Sequence, residues 1–436
     1  MNKRILRLAI PNIITNITVP LLGMVDTAIV GHLDTGNSQL DYIGAIAIGT
    51  TIFNFLYWNF GFLRMGTSGF TAQAYGSKDL EETIHILTRS IIVSLIISLL
   101  ILLLQYPISL LAQYYIADRN NVLSLSLTYF FILVWAAPAT LCMYSLKGWL
   151  IGMQDSKTPM YISILINILN IGFSLLFVMK YNMKIEGVAY GTLIAQYIGL
   201  VFTIIIIYYK YGKLRKYINL KISLTKTQLK AFIKVNSDIF LRTTCLLLVT
   251  TYFTLASSKM PYPTLAVNAL LMQLFTLFSY FMDGFAYASE SLCGKYWGAK
   301  DKTNLRKSVK YILIWGLLIS LIFTILYYFF SENLLAILTD KEHIIKAAKE
   351  NIFFVLLIPL TGYIAFLYDG ILIGLTKTAI MRNAIFISTA VFFAIYLSFG
   401  EYLGNTALWL AFISYLAGRS LLMAIFSYKT IFIKEI

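Results

Sequence analysis

Asp26 is the residue of this chain whose type and place most directly imply chemistry. It stands in Pro20-Leu-Leu-Gly-Met-Val-Asp26-Thr27, inside an apolar stretch long enough to cross a bilayer. A carboxylate in hydrocarbon is costly unless it pairs, holds a cation or takes up a proton. An ion gradient can therefore load and unload an aspartate placed there. Asn12, Asn16, Gly23 and Asp26 follow helical spacing and share a face. Pro11 and Pro20 each remove a backbone hydrogen bond from the same stretch and let it bend. The competing reading is a structural aspartate bonded to neighbouring helices.

Further polar residues fall into stripes. Ser163, Asn167, Asn170 and Ser174 lie on one helical face, and Thr192, Gln196, Gly199 and Thr203 on another. Brought against Asp26, they would enclose a small hydrophilic cavity. As hydrogen bonds between helices, they would only hold the fold together. The later part of the chain has its own stripe: Gln273, Thr276, Tyr280, Asp283, Tyr287 and Glu290. Asp283, Glu290, Asp369, Tyr280, Tyr287 and Arg242 are the candidates there for transport or gating. Asp238 and Arg242, four residues apart, are expected to neutralise each other. Arg64 requires an acidic or carbonyl partner.

Other chemistries lack their residues. His32, His85 and His343 are far apart, and Cys142, Cys245 and Cys293 have no metal-site or disulfide spacing. No metal and no cofactor is expected. The Gly-Lys pairs at 212–213 and 294–295 are followed by Leu214 and Tyr296, not Ser or Thr, so no nucleotide-binding loop is formed. Nothing points to an enzyme.

The elements that must carry these residues follow from composition. Of 436 residues, 59% are hydrophobic and 13% charged, and the mean hydropathy is +0.76. A soluble domain has about 45–50% apolar and about 25% charged residues. Apolar stretches recur at 5–31, 43–74, 84–105, 122–146, 159–180, 187–209, 231–257, 263–291, 308–330, 351–373, 379–399 and 405–428. Each can cross about 30 Å of hydrocarbon as a helix, and their continuity excludes the alternation of membrane strands. The expected fold is an all-α polytopic membrane protein with twelve transmembrane helices. The first stretch has no small-residue cleavage pattern after it and is read as a span that stays.

The net charge of +15 fits this architecture. Lys3, Arg4 and Arg7 precede span 1. Loop 32–41 carries Asp34 and Asp41 and no basic residue. The connection 210–234 holds Lys210, Lys213, Arg215, Lys216, Lys221, Lys226, Lys230 and Lys234 and no acid, and Lys295–Lys310 is also basic. Loops with an even number of spans before them are the basic ones, which puts both termini in the cytoplasm. The same charge could mark a nucleic-acid patch, but it falls where orientation demands it, so no nucleic acid is expected.

The chain also repeats itself. Gly76-Ser77-Lys78-Asp79 returns 222 residues later as Gly298-Ala299-Lys300-Asp301. The same offset pairs Gly148 with Gly370 and Gly152 with Gly374. Two pseudo-symmetric six-helix bundles are expected: residues 1–209, a basic cytoplasmic connection 210–230, and residues 231–436. Six spans each give the copies one orientation, as in transporters built from parallel repeats. The paired glycines read as close helix packing.

Two stretches are similar to one family. Asn16-Ile-Thr-Val-Pro-Leu-Leu-Gly-Met-Val-Asp-Thr-Ala-Ile-Val-Gly-His-Leu33 resembles the first helix of the DinF-like branch of the MATE (multidrug and toxic compound extrusion) transporters. Phe62-Leu-Arg-Met-Gly-Thr-Ser-Gly-Phe-Thr-Ala-Gln-Ala-Tyr-Gly76 resembles the second. Asp283-Gly-Phe-Ala-Tyr-Ala288, Asp369-Gly-Ile-Leu-Ile-Gly374 and Ala407-Leu-Trp-Leu-Ala411 also fit. The resemblance implies two six-helix lobes around a V-shaped opening and cation-coupled export of small organic, cationic or amphipathic compounds. It makes Asp26 the key carboxylate, with Asn170, Ser174 and Thr192 around it, and lets span 1 bend near Pro11 when Asp26 is protonated. Members commonly carry an aspartate where this chain has Ser174. A hard cation prefers charged oxygen ligands, so H+ is the expected coupling ion, with Na+ the alternative. A monomer in a bacterial cytoplasmic (inner) membrane is expected. The other reading considered is a lipid-linked oligosaccharide or lipid flippase on a related two-lobed fold, which the intramembrane acids oppose.

Overall fold

In lipid, a continuous apolar segment satisfies its backbone only through its own hydrogen bonds, so these runs become helices. The computed structural model describes residues 1–31, 39–115, 120–428 and 431–432, and among them there are helices and no strand. In chain order the α-helices are α1 (Asn2–Gly31), α2 (Gln39–Asn59), α3 (Phe62–Gly76), α4 (Leu80–Leu103), α5 (Gln105–Tyr115), α6 (Asn120–Leu133), α7 (Ala137–Gly152), α8 (Lys157–Leu175) and α9 (Ile185–Tyr211). They continue with α10 (Leu220–Ser223), α11 (Lys226–Ser258), α12 (Thr264–Gly298), α13 (Lys302–Leu338), α14 (Glu342–Glu350), α15 (Ile352–Gly374), α16 (Thr378–Leu403) and α17 (Asn405–Tyr428). Among the described residues twelve segments are long and apolar enough to cross a membrane, and they coincide with the twelve expected spans. Residues 32–38, with His32 and Asp34, lie outside the described residues, as do the side chains of Pro20 and Thr27.

Two spans are interrupted where unbroken helices were expected. The second is α2 and α3, separated at Phe60-Gly61, where Gly61 N donates to the Trp58 carbonyl at 3.1 Å. Glycine weakens a helix interior, and the chain turns there. The fourth is α6 and α7, joined by a short 3-10 turn at Val134–Ala136 with a proline in the first turn of α7.

The chain divides into two compact units: Met1–Ile13, Ala72–Lys78 and Ile233–Ile436 form the first, and Ile14–Thr71 with Asp79–Phe232 the second. The sequence repeat has structural counterparts. Lys78 (φ 62°) and Lys300 (φ 55°) both turn through the left-handed region. The aspartate that follows each caps the next helix: Asp79 accepts from Glu82 N at 2.9 Å and Asp301 from Asn304 N at 3.0 Å. The paired glycines serve close packing. A Cβ on Gly148 would collide with the carbonyl oxygen of Arg64, and one on Gly370 with that of Ala286. Gly152 meets Ser68 in the same way, and Gly374 meets Glu290. Each contacted residue on one side is 222 positions from its counterpart, as the glycines are.

The basic connection is anchored rather than loose at its far end. Asn219 caps α10, its side chain accepting from Lys221 N at 3.1 Å. Ser223 then meets α4 of the same unit: Arg89 Nε donates to its carbonyl at 2.8 Å and its hydroxyl lies 2.9 Å from His85 Nδ1.

Candidate functional site

Asp26 is buried near the end of α1, and its Oδ1 meets no hydrogen-bond partner among the described residues. Among those residues no Lys or Arg forms an ion pair with it. Its charge acts on Tyr129 of α6, whose hydroxyl is hydrogen-bonded to Thr50 of α2. The Tyr129 ring lies against Gly49, where a Cβ would come within 2.5 Å, and meets Phe53 edge-on at 6.2 Å. An aromatic ring with a neutral hydroxyl thus stands near Asp26, and sequence spacing had not singled out Tyr129 or Thr50.

The two N-terminal stripes do meet. Asn170 Nδ2 on α8 donates to Thr192 Oγ1 on α9 at 2.7 Å, and Thr192 donates on to the Val188 carbonyl at 3.1 Å. Asn167 Nδ2 donates to the Thr18 carbonyl at 3.2 Å, which ties α8 to α1. Asn170 Oδ1 and Ser174 Oγ are buried with no hydrogen-bond partner among the described residues. Ser174 backs onto Gly191, where any Cβ would strike its hydroxyl. Asn16 is half-buried on α1. Gln196 is half-buried and hydrogen-bonds to none of the described residues. Among those residues, no hydrogen bond joins Asp26 itself to Asn170 or Thr192. Pro11 and Pro20 lie within α1, which is continuous over Asn2–Gly31.

In the other unit, the expected Asp238–Arg242 pairing is not what forms. Asp238 accepts from Arg382 Nη1 at 2.6 Å and from Thr378 Oγ1 at 2.9 Å. Arg242 instead bonds Asp369 Oδ2. The same oxygen accepts from Arg419 Nη2 at 2.9 Å. Asp238, Arg242 and Asp369 are all buried and each needs an opposite charge; a pair four residues apart on one helix gains little, and each instead takes the partner that another helix presents to it. Arg419 also lies over the Tyr415 ring, 5.4 Å from its centroid. Asp283 acts electrostatically on both Arg242 and Tyr280. Arg242, Tyr280, Asp283 and Asp369 thus belong to one charged cluster, while Asp238 does not. Tyr287 is half-buried and Glu290 buried further along α12, where the Glu290 backbone receives Gly374. Arg419 is the member that sequence reasoning missed. Its signal was there: an arginine inside the apolar run 405–428 demands a buried acid.

The two units therefore treat their acids differently. Asp369 is clamped by two guanidinium groups. Asp26 has no fixed cation among the described residues.

Comparison with known proteins fits this architecture. The MatE family model matches residues 11–176 and 239–399. DNA damage-inducible protein F of Escherichia coli (strain K12) is 35% identical over 93% of this chain and 88% of its own length. The probable multidrug resistance protein NorM of Photorhabdus laumondii is 22% identical over 86% of this chain and 82% of its own. A solved structure of a MATE protein in the bent conformation superposes with a TM-score of 0.85 at 20% identity, covering 99% of this chain and 95% of that one. An outward-facing multidrug resistance MATE transporter of the MOP superfamily gives a TM-score of 0.83 at 20% identity, over 98% and 95%. On the extent of the family match and the similarity to DNA damage-inducible protein F, this twelve-span chain belongs to the MATE family of multidrug efflux transporters, in its DinF-like branch, and is not an enzyme.

Proposed function

We propose that the protein is a secondary antiporter that exports small organic, cationic or amphipathic compounds across a bacterial cytoplasmic membrane in exchange for protons, with both termini in the cytoplasm. The single observation that carries this reading is the setting of Asp26: buried, with no ion pair among the described residues, and with an oxygen that accepts no hydrogen bond from them. A carboxylate so placed is at ease only when neutral or newly charged beside a ligand, which makes its protonation responsive to the gradient.

The coupling ion follows from the same surroundings. Ser174 and Asn170 offer neutral oxygens, whereas a hard cation site draws on charged ones. A proton needs only the one carboxylate. Each charge moving down about 100 mV supplies about 2.3 kcal/mol, before any pH difference is added. That energy is conserved only if proton and substrate oppose each other's binding.

Movement has a place to occur. The division between the two compact units falls at Ile13/Ile14 within α1, just after Pro11, which cannot donate a backbone hydrogen bond. Protonation of Asp26 then bends α1 near this point. The test is transport of a fluorescent organic cation in reconstituted vesicles with ΔpH and Na+ gradients imposed separately. Efflux driven by ΔpH alone supports the reading, and efflux that requires Na+ overturns the proton assignment.

A further inference from the structure

The basic connection after α9 has a feature that the orientation of the spans does not require. Residues 212–224 belong to the second unit. Four aliphatic side chains fall within seven residues of it, Ile218, Leu220, Ile222 and Leu224, and all four are exposed, Ile218 at 57% and Leu220 at 58%. Ser223, between the last two, is fully buried and held on α4 by Arg89 and His85. The segment is thus fastened to the protein through a polar residue and leaves its apolar ones outside. That is the reverse of a segment folded against a core in water.

The same stretch is cationic throughout. Lys213, Arg215, Lys216 and Lys221 are exposed, and no Asp or Glu occurs between Glu186 and Asp238. Lys213, Lys216 and Lys221 form no ion pair among the described residues. Arg215 donates from Nη1 to the Tyr208 hydroxyl at 2.9 Å, and Lys216 Nζ lies 4.8 Å from the Tyr217 ring centroid. Tyr208, Tyr209, Tyr211 and Tyr217 cluster in sequence where α9 ends. Tyrosines gather at the headgroup level of a bilayer, where the ring is in an apolar setting and the hydroxyl is wet. Their presence sets the connection at that level.

We infer that residues 213–224 bind anionic phospholipid: Lys213, Lys216 and Lys221 hold headgroup phosphates while Ile218, Leu220, Ile222 and Leu224 enter the boundary of the acyl chains. Charge complementarity selects this occupant. A cationic stretch without acids is drawn to an anionic surface, by about five-fold in affinity for each lysine. The exposed aliphatics add burial in hydrocarbon. A zwitterionic lipid offers the second attraction and not the first. The inference rests on the membrane-spanning architecture and not on proton antiport, because its test uses neither a gradient nor cargo.

The test places a bimane label on Ile222→Cys in the purified full-length protein, in lipid discs of phosphatidylcholine alone or of phosphatidylcholine with phosphatidylglycerol. The unaltered protein, treated in the same way, sets the background from Cys142, Cys245 and Cys293. A shift of the emission to shorter wavelength is expected with phosphatidylglycerol only, as the label leaves water. Lys213→Gln, Lys216→Gln and Lys221→Gln together should lose that shift. Glutamine at Lys341, Lys346 and Lys349, which are also exposed, makes the same change in net charge and should keep it. About 1 M salt, which shortens screening to about 3 Å, should shrink the shift in the labelled protein with its lysines intact, and this arm serves if the glutamine triple does not fold. Equal emission in the two discs overturns the inference: a label in water in both leaves the face to a protein partner, and a label out of water in both means apolar contact alone. A shift that survives in the first triple, is lost equally in both triples or ignores salt also overturns it.

Discussion

Arg419 on α17 donates through Nη2 to Oδ2 of Asp369 on α15 at 2.9 Å, and both side chains are buried. Arg242 on α11 uses the same oxygen. Removing the acid from this cluster leaves two buried guanidinium groups facing each other. Breaking a buried pair in this way costs about 3–5 kcal/mol. Asp369→Asn is therefore expected to lower the thermal stability of the detergent-solubilised protein by many degrees. A melting temperature within a degree or so of the unaltered protein's would mean that the arginines find other partners.

Packing makes a separate prediction with a built-in control. Gly148 has no room for a side chain, because a Cβ would meet the Arg64 backbone, whereas Gly172 has nothing within 4 Å of where a Cβ would go. Gly148→Leu should abolish folded, membrane-inserted protein. Gly172→Ala should leave its amount unchanged or raise it slightly, since Ala favours a helix by up to about 1 kcal/mol over Gly. The yield of monodisperse protein after solubilisation measures both. Equal yields from the two variants would contradict the packing described.

Asp155, between α7 and α8 and outside the spans, gives a pH dependence. Partial burial acts to raise its pKa, but hydrogen bonds from Lys210 Nζ at 2.6 Å and Thr158 Oγ1 at 2.7 Å outweigh that and hold it below the usual carboxylate range. A folded-state pKa below the unfolded value of about 3.9 adds stability that is fully present above that value. It is lost as pH falls through the folded pKa. Lys210 is half-exposed, so the ion pair is screened and the increment is at most about 1 kcal/mol. The difference in stability between the unaltered protein and Asp155→Asn should be constant above about pH 5 and shrink towards zero at lower pH. A difference that grows on acidification would contradict the assignment.

Much of this architecture was legible before any coordinates. Twelve spans follow from hydropathy alone, because lipid allows an apolar segment few backbone solutions. The equivalence of Gly148 and Gly370 was readable from their spacing, and packing accounts for it. The partners of the charges were not legible. Asp238 and Arg242 are four residues apart on α11, yet each prefers a residue more than a hundred positions away, Arg382 and Asp369. Sequence reveals which residues share a helical face but not which face meets which helix. Tyr129 and Thr50 were missed beside Asp26 for the same reason: an aromatic and a threonine in apolar runs carry no periodic signal. The breaks at Phe60-Gly61 and Val134–Ala136 lie in stretches whose hydropathy continues across the turn.

Coupling through Asp26 is tested most directly by efflux of a fluorescent organic cation from vesicles containing Asp26→Asn at a matched protein level, under an imposed pH gradient. Asparagine keeps the size and polarity of the side chain but cannot exchange a proton at these pH values. Gradient-driven efflux should fall to the protein-free background while the melting temperature stays at or above that of the unaltered protein, since Asp26 forms no ion pair with the described residues. Efflux at the unaltered rate, responding to pH as before, would contradict the account.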